Sequence, residues 1–214
     1  MSRVPRVLLG AFVLAAAVDL VSLLAGAEPG HAVAKSLLMP LLAAYAGSRG
    51  APAPLLAALL CGWAGDVLLL SNADGAFLAG MAAFAAGHVC YLVLFGRGRT
   101  SPLLGLGYGV VLGVTVAALW PDLPADLRIP VAGYSLLLTT TAYRSSSFGG
   151  AAGAGGALFL LSDTLIATGI AGRPQLPAPG FWVMLTYIVA QYLLTAGTLR
   201  TMYGERRTTA PAGL

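Results

Sequence analysis

Apolar residues run along this chain in eight long stretches, separated by short segments that hold most of its Arg, Pro and acidic residues. The stretches lie near residues 7 to 26, 32 to 48, 54 to 71, 76 to 95, 101 to 120, 129 to 143, 149 to 171 and 178 to 199. Most approach the roughly 20 apolar residues with which an α-helix crosses a bilayer, and the intervals leave room only for turns. The pattern predicts an all-α, polytopic transmembrane bundle of eight helices, forming a single integral membrane domain over residues 1–214. The second and sixth stretches are short, and the run Thr139, Thr140, Thr141 makes the sixth the weakest.

Composition agrees. Hydrophobic residues make up 58% and charged residues only 9%, against about 25% charged in a soluble domain. The 28 Gly and 13 Pro do not indicate disorder, because a mean hydropathy of +0.84 is the opposite of what disorder requires. The formal net charge of +4 would suggest nucleic acid in a soluble protein. Here the basic residues sit between apolar runs and act as topology signals, so no nucleic-acid partner is expected. Alternation places nine Arg on one side (Arg3, Arg6, Arg49, Arg97, Arg99, Arg144, Arg200, Arg206 and Arg207) and two, Arg128 and Arg173, on the other with Glu28, Asp74, Asp122 and Asp126. Basic loops favour the cytoplasm, so both termini are expected there, in a multi-pass protein of the cell (inner) membrane. Arg3, Arg6, the first apolar stretch and Ala25-Gly26-Ala27 also resemble a signal peptide. That stretch is long for a signal, contains Asp19, and its removal would leave seven spans, so it is read as an uncleaved first helix. Cys61 and Cys90 lie inside apolar runs, with neither metal-ligand nor disulfide spacing, and are expected to pack in the core.

Charge inside the spans is costly. An ionised Asp or Lys at a span centre costs about 2.5 to 3.5 kcal/mol, so such groups must be paired, neutralised or solvated, and they mark function by default. Asp19, Asp66 and Asp163 lie in spans one, three and seven, and Lys35 opens span two. All three acids fall in the outer half of their spans or near the middle, Lys35 lies near the outer end, and His88 sits deeper in span four. Together they could line one cavity reached from the outer leaflet. A structural ion pair between Asp19 and Lys35 is the alternative for those two residues. Gly65-Asp66 and Ser162-Asp163 each place a small residue directly before the acid, and each of these spans precedes one with an aromatic four residues before a polar group: Phe84 and His88, then Tyr187 and Gln191. The correspondence hints at a parallel repeat of four helices plus four. Trp63, Trp120, Trp182 and many tyrosines read as packing or interfacial anchors, while Tyr91, three residues after His88, is placed for polar work.

Two carboxyls in a low-dielectric site cannot both ionise cheaply, so one keeps its proton and acts as acid while the other acts as base. Such a pair suits acetal-like and enol-ether bonds, whose protonation creates an oxocarbenium-like cation that a neighbouring carboxylate stabilises. Two Asp and one His without regular spacing form a thin metal-ligand set, so no metal and no cofactor is expected. Lys35-Ser36-Leu37-Leu38-Met39-Pro40, Gly65-Asp66-Val67-Leu68-Leu69, Phe84 through His88 to Tyr91, Ser162-Asp163-Thr164, and Tyr187 through Ala190-Gln191 resemble, in order, the motifs of the YhhN-like lysoplasmalogenase family of eight-span membrane proteins. One departure is Ser36, where the family usually has proline after the lysine. The resemblance implies hydrolysis of the vinyl ether bond of a lysophospholipid in the bilayer, with water, to a fatty aldehyde and a glycerophospho-amine. Asp66 and Asp163 would be catalytic, in either order. Lys35 would meet the phosphate or tune the acids, His88 and Tyr91 would hold the head group or relay protons, and Gln191 would bind water or an ether oxygen. Tyr187 and Asp19 complete the set assigned to substrate binding or proton relay. A proton-coupled small-molecule transporter using Asp66, Asp163 and His88 is the competing function.

Overall fold

The computed structural model describes residues 3–71, 73 and 75–209, with backbone alone for 205–209. Asp74, counted above among the outer acids, lies outside the described residues, as do the side chains of Arg206 and Arg207. The described residues form eight helices: α1 (Arg3–Ala25), α2 (Glu28–Ser48), α3 (Ala53–Leu69), α4 (Ala76–Phe95), α5 (Pro102–Leu119), α6 (Arg128–Ser145), α7 (Gly150–Ile170) and α8 (Pro179–Thr209). A single 3-10 turn, Ser146–Phe148, links α6 to α7. Pro residues in the first turns of α2, α3 and α5 occupy positions whose N–H would have no helical partner. Gly50, at φ +70°, reverses the chain between α2 and α3, a left-handed position that a β-carbon would strain.

Among the described residues five helices are long and apolar enough to cross a membrane: α1, α4, α5, α7 and α8 as far as Gly204. Helix α3 is apolar but has 17 residues. Helices α2 and α6 carry the polar residues that lower their hydropathy, among them Glu28, His31 and Lys35 in α2 and Ser135, Thr139, Thr140 and Thr141 in α6. The outer surface is greasy, with Val7, Leu14, Val21, Val93, Leu103, Leu106 and Val114 all exposed. Apolar exposure on this scale suits lipid and not water; the protein is a multi-pass membrane protein.

The tightest packing joins the antiparallel neighbours α1 with α2, α3 with α4, and α7 with α8. Small residues permit it: a β-carbon at Gly155 of α7 would lie 2.7 Å from the Leu194 nitrogen of α8. Leu119, Leu123, Val131 and Ala171 cluster with Met81, which brings the end of α5, the starts of α4 and α6 and the end of α7 to one end of the bundle. At the opposite end Arg49, just after α2, donates to Tyr203 of α8, and Arg144 of α6 donates to the Gly96 carbonyl at 2.5 Å. Helix α5 is the least embedded, with only Leu119 buried, and packs chiefly on α6.

One backbone vacancy near the polar centre is filled from a neighbouring helix. Pro40 lies inside α2 and has no N–H, so the carbonyl of Ser36, four residues earlier, loses its helical donor. Trp63 Nε1 of α3 donates to that carbonyl at 3.0 Å, while Ser36 Oγ donates to the Ala32 carbonyl at 2.8 Å. Trp63 therefore does more than anchor at an interface. Trp63→Phe is expected to cost about 1 to 2 kcal/mol by leaving that carbonyl without its donor. Thermal unfolding in detergent checks it, and an unchanged midpoint would mean the indole hydrogen bond contributes nothing.

Candidate active site

Helices α2 to α8 enclose a cavity of about 100 Å3, enough for several waters. Its polar wall holds Lys35, Asp66, Tyr134, Ser162, Asp163 and Tyr187. Its apolar wall runs through Met81, Phe84, Leu112, Val116, Leu160 and Met184. A few converging polar side chains set into a mostly apolar lining are the usual make-up of a small-molecule site.

The small residues preceding the two acids have different reasons. Gly65 lies so close to the Phe84 ring of α4 that a β-carbon there would come within 2.6 Å of it, and this packing fixes the turn of α3 that carries Asp66. Ser162 is chosen for its hydroxyl, which donates to the Val183 carbonyl of α8 at 3.0 Å and so fixes the rotation of α7 beneath Asp163.

Each acid ends a chain of donors. Tyr187 donates to Asp66 Oδ2 at 2.8 Å, and Gln191 Nε2 approaches the Tyr187 oxygen at 3.5 Å. Tyr91 donates to Gln191 Oε1 at 2.6 Å, which orients the amide so that its NH2 faces Tyr187. The second chain is shorter: Tyr134 donates to Asp163 Oδ2, and His88 Nε2 lies 3.3 Å from the Tyr134 oxygen. Tyr134 has spent its one proton on Asp163, so His88 must carry hydrogen on Nε2 to complete the contact. The two chains cross the sequence. His88 of α4 backs the acid of α7, whereas Gln191 of α8 backs the acid of α3.

The acids differ in their second oxygen. Asp66 Oδ1 lies 3.7 Å from Lys35 Nζ, and Asp66 is 2% exposed. Asp163 is less enclosed and, among the described residues, has no cation within ion-pair distance. Lys35, Asp66, Asp163 and Tyr187 thus reach one cavity. His88, Tyr91 and Gln191 are buried behind its wall and touch it only through the tyrosines. Asp19 stands apart: fully buried, it pairs with His31 Nδ1 at 2.8 Å across the α1–α2 hairpin and does not line the cavity. The ion pair considered for Asp19 and Lys35 is replaced by two pairs, Asp19 with His31 and Lys35 with Asp66. Tyr134 and His31 carry contacts that the sequence reading did not assign. The available signal for Tyr134 was the polar stripe of α6, in which Ser135 and Thr139 share the cavity wall with it.

Known proteins resemble this chain closely. The human protein named lysoplasmalogenase TMEM86B is 38% identical over 147 residues, 69% of this chain and 64% of that protein. Its pig counterpart is 41% identical over 167 residues, covering 75% of this chain and 69% of the relative. Human lysoplasmalogenase TMEM86A is 28% identical over 148 residues, 64% of this chain and 61% of that protein. The chain therefore matches about two thirds of the length of these relatives. No solved structure matches it. The model of the YhhN family matches residues 30–198, a stretch that holds the Lys35–Asp66 pair, both tyrosine donors and Asp163 but leaves out Asp19. The chain that builds this cavity belongs to the YhhN family.

Proposed function

We propose that this protein hydrolyses the vinyl ether bond of lysoplasmalogens within the membrane, with Asp163 as general acid and Asp66 as the carboxylate that handles water. Its relatives' shared name supports the reaction, and the single observation that supports the division of roles is Lys35 beside Asp66 and not Asp163. The ammonium and the Tyr187 hydroxyl both favour a charged Asp66. Asp163 meets a hydroxyl but no such cation, so it is the acid that holds its proton.

The steps follow from those states. Asp163 gives its proton to the vinyl carbon remote from the ether oxygen, and the positive charge spreads over the other carbon and that oxygen. Asp66 stabilises the cation and takes a proton from the water that adds to it, leaving a hemiacetal. Collapse of the hemiacetal passes its hydroxyl proton to Asp163 and the proton on Asp66 to the departing glycerol oxygen. Aldehyde and glycerophospho-compound leave, and both acids return to their starting states. Lys35 keeps Asp66 charged, Tyr187 and Tyr134 hold the carboxyls in place, and Gln191, Tyr91 and His88 hold the tyrosines. Asp19, paired with His31, serves the α1–α2 hairpin instead.

All eight helices cross the bilayer in this reading, as one membrane domain with the termini on the cytoplasmic side. The bundle end formed by Arg49, Arg97, Arg99 and Arg144 faces the cytoplasm, and the cavity lies toward the other face.

The test is aldehyde release from a 1-alkenyl lysophospholipid by purified protein in detergent, with the saturated 1-alkyl ether as control. Cleavage of the vinyl ether alone is expected, and in D2O the aldehyde should carry one deuterium on the carbon next to its carbonyl. Equal cleavage of both ethers, or an aldehyde without that label, would exclude carbon protonation.

A further inference from the structure

Arg128, the first residue of α6, lines the cavity near Trp120 and Leu123, at the end opposite the basic one. Its guanidinium is held in place by carbonyls: Nε donates to Leu123 and Nη2 to Pro121, each at 3.2 Å. Those two bonds leave three N–H groups and the whole positive charge available. Among the described residues no carboxylate lies within ion-pair distance of it; Asp122 in the same loop is taken by Arg173 at 2.5 Å. A cation in the first turn of a helix also stands at the disfavoured end of the helix dipole, so α6 gains no electrostatic benefit from Arg128. An anion at this place would meet both the guanidinium and the positive end of α6.

The spacing fits a phosphate. Arg128, Val131, Ala132, Ser135, Leu138 and Thr139 line the cavity along one face of α6, with Tyr134 and its partner Asp163 about two turns below Arg128. Six residues of helix separate Arg128 from Tyr134, about 9 Å of rise. In a lysoplasmalogen seven bonds join the phosphorus to the vinyl carbon that is protonated. Three extended bonds span about 3.5 Å, so seven reach about 8 Å. Lys35, the other cation in the cavity, is engaged with Asp66.

We propose that Arg128 binds the phosphate of the substrate and so sets the reacting carbon at Asp163, an inference that rests on the lysoplasmalogenase reading. The enzyme then selects lysophospholipids over the same vinyl ether on bare glycerol.

The experiment compares wild type, Arg128→Gln and Arg128→Lys in nanodiscs, using 1-alkenyl lysophosphocholine and 1-alkenyl glycerol for turnover. Binding of radiolabelled 1-alkyl lysophosphocholine, which cannot be cleaved, is measured alongside. Arg128→Gln should raise KM for the phosphorylated substrate and weaken binding of the alkyl analogue about 10- to 100-fold, the range of a lost charged hydrogen bond. Turnover of 1-alkenyl glycerol should stay within about twofold of wild type, which also shows the variant folded, and Arg128→Lys should recover part of the affinity. Unchanged KM and unchanged binding in Arg128→Gln would overturn the proposal, as would equal losses on both substrates. Wild type that binds the alkyl analogue through Arg128 yet cleaves no vinyl ether would keep the phosphate site and remove the hydrolase reading.

Discussion

Asp163→Asn is expected to reduce kcat for vinyl ether cleavage by about 10²- to 10⁴-fold, the usual contribution of a positioned general acid. KM should barely change. The amide keeps the size of the carboxyl and can still accept from Tyr134, so the cavity wall is preserved. What disappears is a proton acidic enough to reach carbon. Initial rates of aldehyde release measure the effect, with size-exclusion elution and helical content checking that the variant is folded. Activity within a few-fold of wild type would remove Asp163 from the chemistry. A matching fall in Asp66→Asn alone would not rescue the division of roles, because either acid's loss stops a shared site.

Lys35→Met should destabilise the protein by about 3 kcal/mol, because Asp66 is left as a buried charge without its counter-ion. For a chain of this size the midpoint of thermal unfolding should fall on the order of 10 °C. The double variant Lys35→Met with Asp66→Asn should recover most of that loss while remaining inactive, since no charge then needs a partner. Melting curves in detergent read the first effect and aldehyde release the second. If the single and double variants melt together, the 3.7 Å contact carries no net charge stabilisation.

The eight helices were legible because long apolar runs broken by short Pro-, Gly- and Arg-bearing segments mark helices and their ends; even the weak sixth stretch, predicted at 129–143, forms α6 at Arg128–Ser145. Asp66, Asp163 and Lys35 stood out because charge within an apolar run demands an explanation. Their partners were harder to see. Tyrosine is common at membrane interfaces and carries no charge, so Tyr134 had only the weak signal of Ser135 and Thr139 on the same helix. His31 lies only four residues before Lys35 on α2, yet it takes the acid of α1 while Lys35 takes that of α3. Helical periodicity places two residues on one face but does not say which neighbouring helix each will meet. The repeat-like spacing put His88 one span after Asp66 and Gln191 one span after Asp163, without saying which acid each would support. In the bundle each supports the acid of the other half: His88 through Tyr134 to Asp163, and Gln191 through Tyr187 to Asp66.

That crossed wiring bears on how the protein is made. A ribosome delivers α2 before α3, so when Asp66 enters the lipid its counter-ion Lys35 has already been synthesised. Tyr187 and Gln191 arrive only with α8, and the Tyr134–Asp163 pair that His88 supports is complete only with α7, three helices after its own. The nascent protein thus carries Asp66 beside its cation but without its tyrosine donor through most of its synthesis, and the last helix brings both that donor and the carbonyl that holds Ser162.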